Sequence, residues 1–194
     1  MKEIMKDFKP LPYDQSIKIL KHASTFDAPN TKNMYIVIGA NGAGKSTLIA
    51  NMYKKYNINC PYINADLVKK SQPTLSDAKV MFDTMDIVAE SIKTGKSFVY
   101  ESVFSHPSKL DFLKTAKDYG YKVHVFFVFT DSPEINIKRV AKRVREGGHD
   151  VPRDKIINRY YRNLTLAKKT IEYCDNFYYL DNSKDLELIP EKTF

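Results

Sequence analysis

Eight consecutive residues in the first quarter of the chain could bind phosphate groups. Gly39-Ala40-Asn41-Gly42-Ala43-Gly44-Lys45-Ser46 matches the spacing G-x-x-x-x-G-K-[ST] and follows the apolar run Met34–Ile38. Glycines in such a loop let backbone N–H groups surround phosphates, and the following helix adds a positive dipole. Lys45 would reach the β- and γ-phosphates of ATP, and Ser46 would hold Mg²⁺. Together with Thr47, these residues are predicted to bind the nucleotide.

Three acidic side chains follow predicted strands, where ligands of parallel sheets bind. They are Asp66, Glu101 and Asp131. Asp66 is predicted to be the base that takes the proton from an acceptor hydroxyl, with helix capping as the alternative. Glu101 would hold the acceptor, with Ser102 beside it, or the metal through water; a buried structural acid is the alternative. Asp131 precedes Ser132-Pro133, which is typical of a helix start, and is interpreted as structural.

A basic helix could supply positive charge to a transferred phosphoryl group. Arg139 and Arg143 are four residues apart and therefore share a helix face. Gly147-Gly148 would serve as a hinge, so that these arginines close over the γ-phosphate as a lid. Arg143 is favoured because it is nearer the hinge, and a solvated helix face is the alternative. His149 and, more weakly, Arg159 are further candidates for the substrate side.

The elements that must position these residues alternate between strand and helix, which predicts an α/β fold with a mostly parallel, five-stranded sheet. It would be a three-layer P-loop kinase-like fold with helices on both faces and an arginine-rich helical lid at about 133–165. The predicted strands are Met34–Ile38, Cys60–Ile63, Ser97–Tyr100, Val123–Phe129 and Phe177–Leu180. The predicted helices are 45–56, 75–93, 110–118, 132–145 and one from Pro152.

The domain organisation predicted from the sequence is an arm followed by one domain. Residues 1–30 would form the arm, with a helix at Tyr13–His22, and residues 31–194 the P-loop kinase domain.

The helix at 75–93 would pack through Leu75, Ala78, Phe82, Met85, Ala89 and Ile92.

Bulk composition excludes several classes of protein. The chain has 194 residues with 43% hydrophobic content and no apolar run of the roughly 20 residues that a membrane span requires. The charged N-terminus lacks a signal-peptide core, and two cysteines cannot form a disulfide framework, so we expect a cytoplasmic protein. No group of His, Cys and acids has the spacing of a zinc site.

Positive charge is concentrated in one stretch of the chain. The net charge is +8, and residues 133–169 hold eleven Lys and Arg against four acids. Such a stretch faces an anionic partner or solvent. Nucleic acid, a phosphorylated metabolite or an acidic protein would each satisfy it, and nucleic acid ranks lower because the stretch has few aromatic residues for base stacking.

Four parts of the chain together resemble the zeta toxin family. They are the phosphate loop, Asn64-Ala65-Asp66, Glu101-Ser102-Val103-Phe104-Ser105 and the stretch from Arg139 to Pro152. The most specific part is Gly147-Gly148-His149-Asp150-Val151-Pro152, similar to the Gly-Gly-His-x-Val-Pro signature of a compact branch. The resemblance covers about residues 34–182. It implies phosphorylation, by ATP with Mg²⁺, of a hydroxyl of UDP-N-acetylglucosamine or a related nucleotide sugar. It also implies a small antitoxin partner, which many members have.

By position, the resemblance matches Asp66 to the family's base, Lys45 to its loop lysine, Glu101 to a substrate-side acid and Arg143 to a lid arginine. One departure is Val103, where the founding toxins have a threonine that contacts the substrate. Two alternatives stay open. One is a kinase of nucleic-acid ends or nucleotides, and the other is a nucleotide-dependent interaction protein without small-molecule transfer.

Overall fold

The computed structural model describes residues 31–56, 60–184 and 187–189. The predicted arm 1–30 and its helix at Tyr13–His22 lie outside these residues. In chain order the elements are β1 (Asn33–Ile38), α1 (Lys45–Tyr56), β2 (Tyr62–Ile63), α2 (Ala65–Ser71), α3 (Asp77–Thr94), β3 (Phe98–Ser102), α4 (Lys109–Asp118), β4 (Lys122–Phe129), α5 (Pro133–Arg145), α6 (Arg153–Thr170), a 3-10 turn (Ile171–Tyr173), β5 (Asn176–Asp181) and β6 (Glu187–Ile189).

The strands form one twisted sheet whose middle strand carries the phosphate loop. Their order is β2-β3-β1-β4-β5-β6, the first five being parallel and β6 antiparallel to β5. The predicted α/β fold with five parallel strands is confirmed, and β6 is an addition. Because β1 lies between β3 and β4, the loop that follows it has β2 and β3 on one flank and β4 and β5 on the other.

Alternate residues of β1 pack on opposite faces of the sheet. Met34 and Ile36 join the larger apolar cluster, which includes residues of α3, α4 and α6. Tyr35 and Val37 join a second cluster with residues of α1. Every residue of β1 is buried, as its continuous apolar run predicts for a strand covered on both faces.

Several predicted boundaries and faces were wrong. The second strand is shorter than Cys60–Ile63, and β3 continues to Ser102 because its pairing with β1 extends through that residue. Helix α3 buries Val80, Thr84, Val88 and Ile92, whereas Phe82 is 56% exposed. The β-branched stripe, spaced by four residues, packs on the sheet in place of the larger apolar side chains.

Candidate functional site

The loop between β1 and α1 is fixed by side chains from distant parts of the chain. Three of its carbonyl oxygens accept side-chain hydrogen bonds: Ala40 from Lys45 (3.1 Å), Asn41 from Asn136 (2.9 Å) and Ala43 from Asn182 (2.7 Å). With these carbonyls occupied, N–H groups are the loop's main backbone groups for an added ligand.

Gly42 and Gly44 have positive φ angles of 79° and 101°, which glycine adopts without steric cost. Gly42 is also close to the backbone of α5. A Cβ atom there would lie 2.5 Å from the carbonyl oxygen of Asn136. The first turns of the basic helix therefore pack directly on the phosphate loop.

Lys45, Ser46 and Glu101 form a compact polar cluster at the start of α1. The Ser46 hydroxyl donates to both carboxylate oxygens of Glu101, at 2.9 and 3.0 Å. The Lys45 ammonium lies 3.8 Å from the same carboxylate, and both side chains are less than a tenth exposed. The structure thus brings the predicted loop lysine, loop hydroxyl and strand-end acid together.

Two residues that the sequence analysis missed complete the Glu101 cluster. The Tyr62 hydroxyl and the Asn64 amide (2.7 Å) both donate to the Glu101 carboxylate. Asn64 is also the N-cap of α2, since its side chain accepts from the N–H of Asp66. The sequence signal was present, because Asn two residues before an acid is a common helix start.

Asn64, and not Asp66, caps α2, because it is the Asn64 side chain that accepts from the helix N-terminus. Asp66 lies in the first turn of this helix and is exposed. Burial lowers the pKa of Lys45, while the carboxylates of Glu101 and then Asp66 act in the opposite direction. The positive charges of Arg143 and Lys109 lower the Lys45 pKa further. Asp66, Arg143 and Lys109 are therefore all within electrostatic reach of the loop lysine.

The loop after β3 is held in an unusual backbone conformation. Phe104 is fully buried and has a φ of 53°, a region that bulky side chains rarely adopt. Its N–H donates to the Ser102 hydroxyl (3.0 Å), which also accepts from Lys109 (2.6 Å). Ser102, predicted to contact substrate, therefore has only its hydroxyl proton to donate. Asn163 of α6 fixes the loop from outside by donating to the carbonyl of Val103 (2.7 Å).

The two arginines that were predicted to belong to a lid have incompletely paired guanidinium groups. Arg139 Nη1 and Arg143 Nε are buried and have no hydrogen-bond partner among the described residues. Arg143 Nη2 donates to the main-chain carbonyl of His149 (2.8 Å), whose side chain is exposed. Unpaired guanidinium N–H groups can bind an anion, which is what the sequence predicts for this helix.

Gly147 and Gly148 end helix α5 as a Schellman cap. Gly147 has a φ of 85° and donates to Val144, and Gly148 donates to Arg143 (2.9 Å). A Cβ atom on Gly148 would lie 2.6 Å from Cγ of Arg143. The pair thus fixes the helix end beside the arginine, and its use as a hinge stays a prediction.

Arg159 contacts the phosphate loop. Its Nη1 donates to the side-chain oxygen of Asn41 (3.0 Å), so this weakest of the predicted site residues is linked to the loop. Asn136 and Asn182 also anchor the loop and were missed. Asn136 shares the buried face of α5 with Pro133 and Val140, and a polar residue on that apolar stripe was an available signal.

Among the described residues, no group of three or more His, Cys, Asp or Glu could hold a metal ion. A magnesium ion needs fewer protein ligands, because it retains several waters and takes one or two protein oxygens. The Ser46 hydroxyl and the Glu101 carboxylate offer only oxygen ligands and are in contact, so this donor set fits Mg²⁺.

In the part of the chain that the structure describes, no helix is long and apolar enough to cross a membrane.

Sequence comparisons relate the chain to known proteins. A family model described as Zeta toxin matches residues 18–192 of the chain. An uncharacterised protein of Haemophilus influenzae is 31% identical over 128 residues, which cover 63% of this chain and 88% of that protein.

Solved structures share the fold at low sequence identity. The crystal structure of AvrRxo1-ORF1:-ORF2 with ATP has a TM-score of 0.61 and 18% identity, covering 89% of this chain and 64% of that one. The chain therefore spans less than two thirds of that protein. A structure from the PezAT chromosomal toxin–antitoxin system of Streptococcus pneumoniae has a TM-score of 0.57 and 16% identity, covering 90% of this chain and 79% of that one.

Proposed function

We propose that this chain, a kinase that belongs to the zeta toxin family, transfers the γ-phosphoryl group of ATP to a hydroxyl of UDP-N-acetylglucosamine or a related nucleotide sugar. One observation carries the proposal. Glu101 joins the phosphate loop, through Ser46 and Lys45, to Asn64, which starts the helix that bears Asp66. A nucleotide site and an acidic acceptor site thereby share one hydrogen-bonded cluster.

The nucleotide would bind with its phosphates on residues 39–47. The loop glycines and the N-terminus of α1 attract anions, and Lys45 supplies a buried positive charge. Binding of the phosphates would draw Lys45 away from the Ala40 carbonyl that it now contacts. Mg²⁺, held by Ser46 and Glu101, would neutralise phosphate charge when bound.

Asp66 would act as the general base. Its exposure leaves the carboxylate open to an acceptor hydroxyl, and it follows β2, at the edge of the sheet where the phosphate loop follows β1. A carboxylate there can accept the hydroxyl proton while the oxygen attacks the γ-phosphorus atom. Capping by Asn64 fixes the first turn of α2 and so orients this carboxylate.

Arg143 and Arg139 would stabilise the charge that develops on the transferred group. Both have buried guanidinium nitrogens without a partner among the described residues, and Arg143 lies within electrostatic reach of Lys45. We assign the larger role to Arg143 for this reason. Arg159, which touches Asn41, and His149 are proposed to assist on the substrate side.

The nucleotide-sugar acceptor and the toxin role rest on the family and not on a bound ligand. Membership supports a toxin that is paired with a small antitoxin, working in the cytoplasm where its substrates are made. Val103 removes the hydroxyl that the founding toxins present at this position. The Ser102 proton, or Ser105 in the same loop, would replace it.

The test is a transfer assay with purified protein, ATP, Mg²⁺ and UDP-N-acetylglucosamine, read by mass spectrometry of the products. We expect a product heavier by one phosphoryl group. Asp66→Asn should lower kcat by about 100-fold or more, because base catalysis contributes on that order, with ADP affinity unchanged. Asp77→Asn is the matched control, since Asp77 is an exposed acid in the first turn of the neighbouring helix.

Two results would contradict the proposal. Absence of a phosphorylated product from every nucleotide sugar would exclude the acceptor class, and an unchanged rate for Asp66→Asn would exclude that base. RNA or DNA binding that weakens steeply with salt, together with 5′-end phosphorylation, would favour the alternative of a nucleic-acid kinase. Stable ADP binding with no transfer to any acceptor would favour the nucleotide-dependent interaction protein.

A further inference from the structure

One positive charge near the acceptor side has no role in the mechanism above. Lys109, at the first residue of α4, donates to the hydroxyls of Ser102 (2.6 Å) and Tyr100 (3.4 Å). Among the described residues, no carboxylate forms an ion pair with its ammonium group, and the carboxylate of Glu101, which precedes Ser102, is paired with Lys45. Lys109 therefore adds a half-buried positive charge that the cluster leaves uncompensated.

The number of donors on a lysine leaves room for a ligand. An ammonium group has three N–H donors and no acceptor. Two of the three in Lys109 are directed at the Ser102 and Tyr100 hydroxyls. The third is available to an added acceptor, and an anionic acceptor would also supply the missing negative charge.

The surrounding loop is built rigidly enough to aim this group. A left-handed conformation at a bulky residue such as Phe104 is strained and persists only where neighbouring contacts enforce it. Here the enforcing contacts are the Ser102 hydroxyl on one side and Asn163 of α6 on the other. Because Lys109 shares the Ser102 hydroxyl, its ammonium group is fixed to this loop.

The order of strands puts Lys109 on the acceptor side of the phosphate loop. Strands β2 and β3 flank β1 opposite to β4 and β5, and both Asp66 and Lys109 follow them. The Lys109 charge is also among the charges that lower the pKa of Lys45. Strands β2 and β3 are parallel neighbours, so Asp66 and Lys109 follow strands that end at the same edge of the sheet, where an acceptor in contact with Asp66 would lie.

We propose that Lys109 binds a phosphate or diphosphate group of the acceptor and restricts the enzyme to hydroxyl compounds that carry such a group. This inference rests on the proposed transfer to a hydroxyl at Asp66. It makes Lys109 a specificity-determining residue, distinct from the groups that bind the γ-phosphate. A purely structural lysine, which only fixes the Ser102 hydroxyl, is the alternative that the experiment must separate.

The experiment compares Lys109→Met with wild type on UDP-N-acetylglucosamine and on uncharged N-acetylglucosamine. Loss of a charge-assisted contact should raise the KM for the charged acceptor about tenfold or more, with the KM for ATP changed by less than about twofold. The rate with the uncharged sugar should change by less than about twofold, because that acceptor offers no anion to Lys109. Lys109→Arg should restore most of the charged-acceptor affinity. Lys114→Met, on the same helix and paired with Asp111, is the matched control.

A binding measurement keeps this test separate from the transfer assay. Calorimetry with UDP, after the ATP site is saturated with a non-hydrolysable ATP analogue, reports on the second anion site alone. Weaker UDP binding by Lys109→Met than by Lys114→Met supports the proposal even if no sugar is phosphorylated, an outcome that would refute only the proposed function. Equal UDP affinity in wild type and Lys109→Met, or no UDP binding by wild type, overturns it.

Discussion

Asn136 is the residue whose removal tests most directly how the phosphate loop is held. Its side chain is fully buried, donates to the Asn41 carbonyl at 2.9 Å and accepts a short hydrogen bond from the Thr130 hydroxyl. In Asn136→Ala both bonds are lost and a small cavity remains. The Thr130 hydroxyl has a second acceptor, the carbonyl of Ser132 at 3.2 Å, so the uncompensated group is the Asn41 carbonyl.

The expected cost follows from these contacts. A buried polar group left without a partner costs about 1–3 kcal/mol, and the weakened Thr130 bond adds about 1 kcal/mol. We therefore expect Asn136→Ala to lower the free energy of unfolding by about 2–4 kcal/mol. In a domain of this size, that corresponds to a decrease in Tm of roughly 5–15 °C. ADP affinity should fall about tenfold, because ordering the released Asn41 carbonyl would consume about 1.4 kcal/mol of binding free energy.

Urea denaturation followed by circular dichroism gives the unfolding free energy, and calorimetry gives the ADP affinity. Asn158→Ala is the control, since Asn158 is an exposed helical asparagine whose removal should change stability by less than about 0.5 kcal/mol. Thr130→Val, alone and combined with Asn136→Ala, completes a double-mutant cycle. Because Thr130 and Asn136 share a hydrogen bond, the double variant should lose less than the sum of the single losses.

The reasoning would be refuted if Asn136→Ala matched the Asn158 control in both stability and ADP affinity. Strict additivity in the cycle would refute the Thr130–Asn136 contact specifically. A loss of stability with wild-type ADP affinity would show that Asn136 supports the core without shaping the loop.

Two further predictions use pairs of matched positions. Gly42→Ala should destabilise the fold by about 2 kcal/mol more than Gly120→Ala. Both residues have a φ near 80°, so the backbone strain is common to both variants, whereas only position 42 places a Cβ atom against the Asn136 carbonyl. Equal losses of stability in urea denaturation would exclude this steric clash. Burial lowers the pKa of His124 to about 4, below the value of about 6.5 expected in the unfolded chain. Between these pH values the unfolded state binds more protons than the folded state, so stability falls as the pH drops. From pH 7 to pH 5, the free energy of unfolding of the wild type should fall by about 2 kcal/mol because of His124. This pH dependence should be absent in His124→Gln and present in His106→Gln, a control at an exposed position.

The elements with strong periodicity could be predicted from the sequence, and the weak ones could not. Strand β1 is a continuous apolar run with one possible environment, a sheet covered on both faces. Helix α2 has seven residues and buries none of them, so it has no apolar pattern to detect. Strand β6 has three residues and depends on pairing with the edge strand β5. The buried face of α3 was mistaken because large apolar residues occupy a neighbouring stripe.

The site divides in the same way. Lys45, Ser46 and Glu101 could be identified because a motif and a strand end fix where their backbones lie. The polar residue Asn136 on the apolar stripe of α5 was a signal of a buried role, but its partner and that of Asn182 could not be predicted, since both partners are backbone carbonyls distant in the sequence. The role of Lys109 could not be predicted, because its contacts with Ser102 and Tyr100 depend on the path of the loop between β3 and α4.

The anchoring of the phosphate loop also bears on how the protein acquires activity. Asn136 and Asn182 lie 95 and 139 residues after the carbonyls that they hold, so a fragment can contain the whole motif and lack its geometry. During synthesis from the N-terminus, the loop would acquire its last anchor only after β5 has left the ribosome and joined the sheet. The ability to bind nucleotide would then indicate that the sheet is complete. Because the nucleotide would bind only the native state, it would also oppose the detachment of β5 from the sheet.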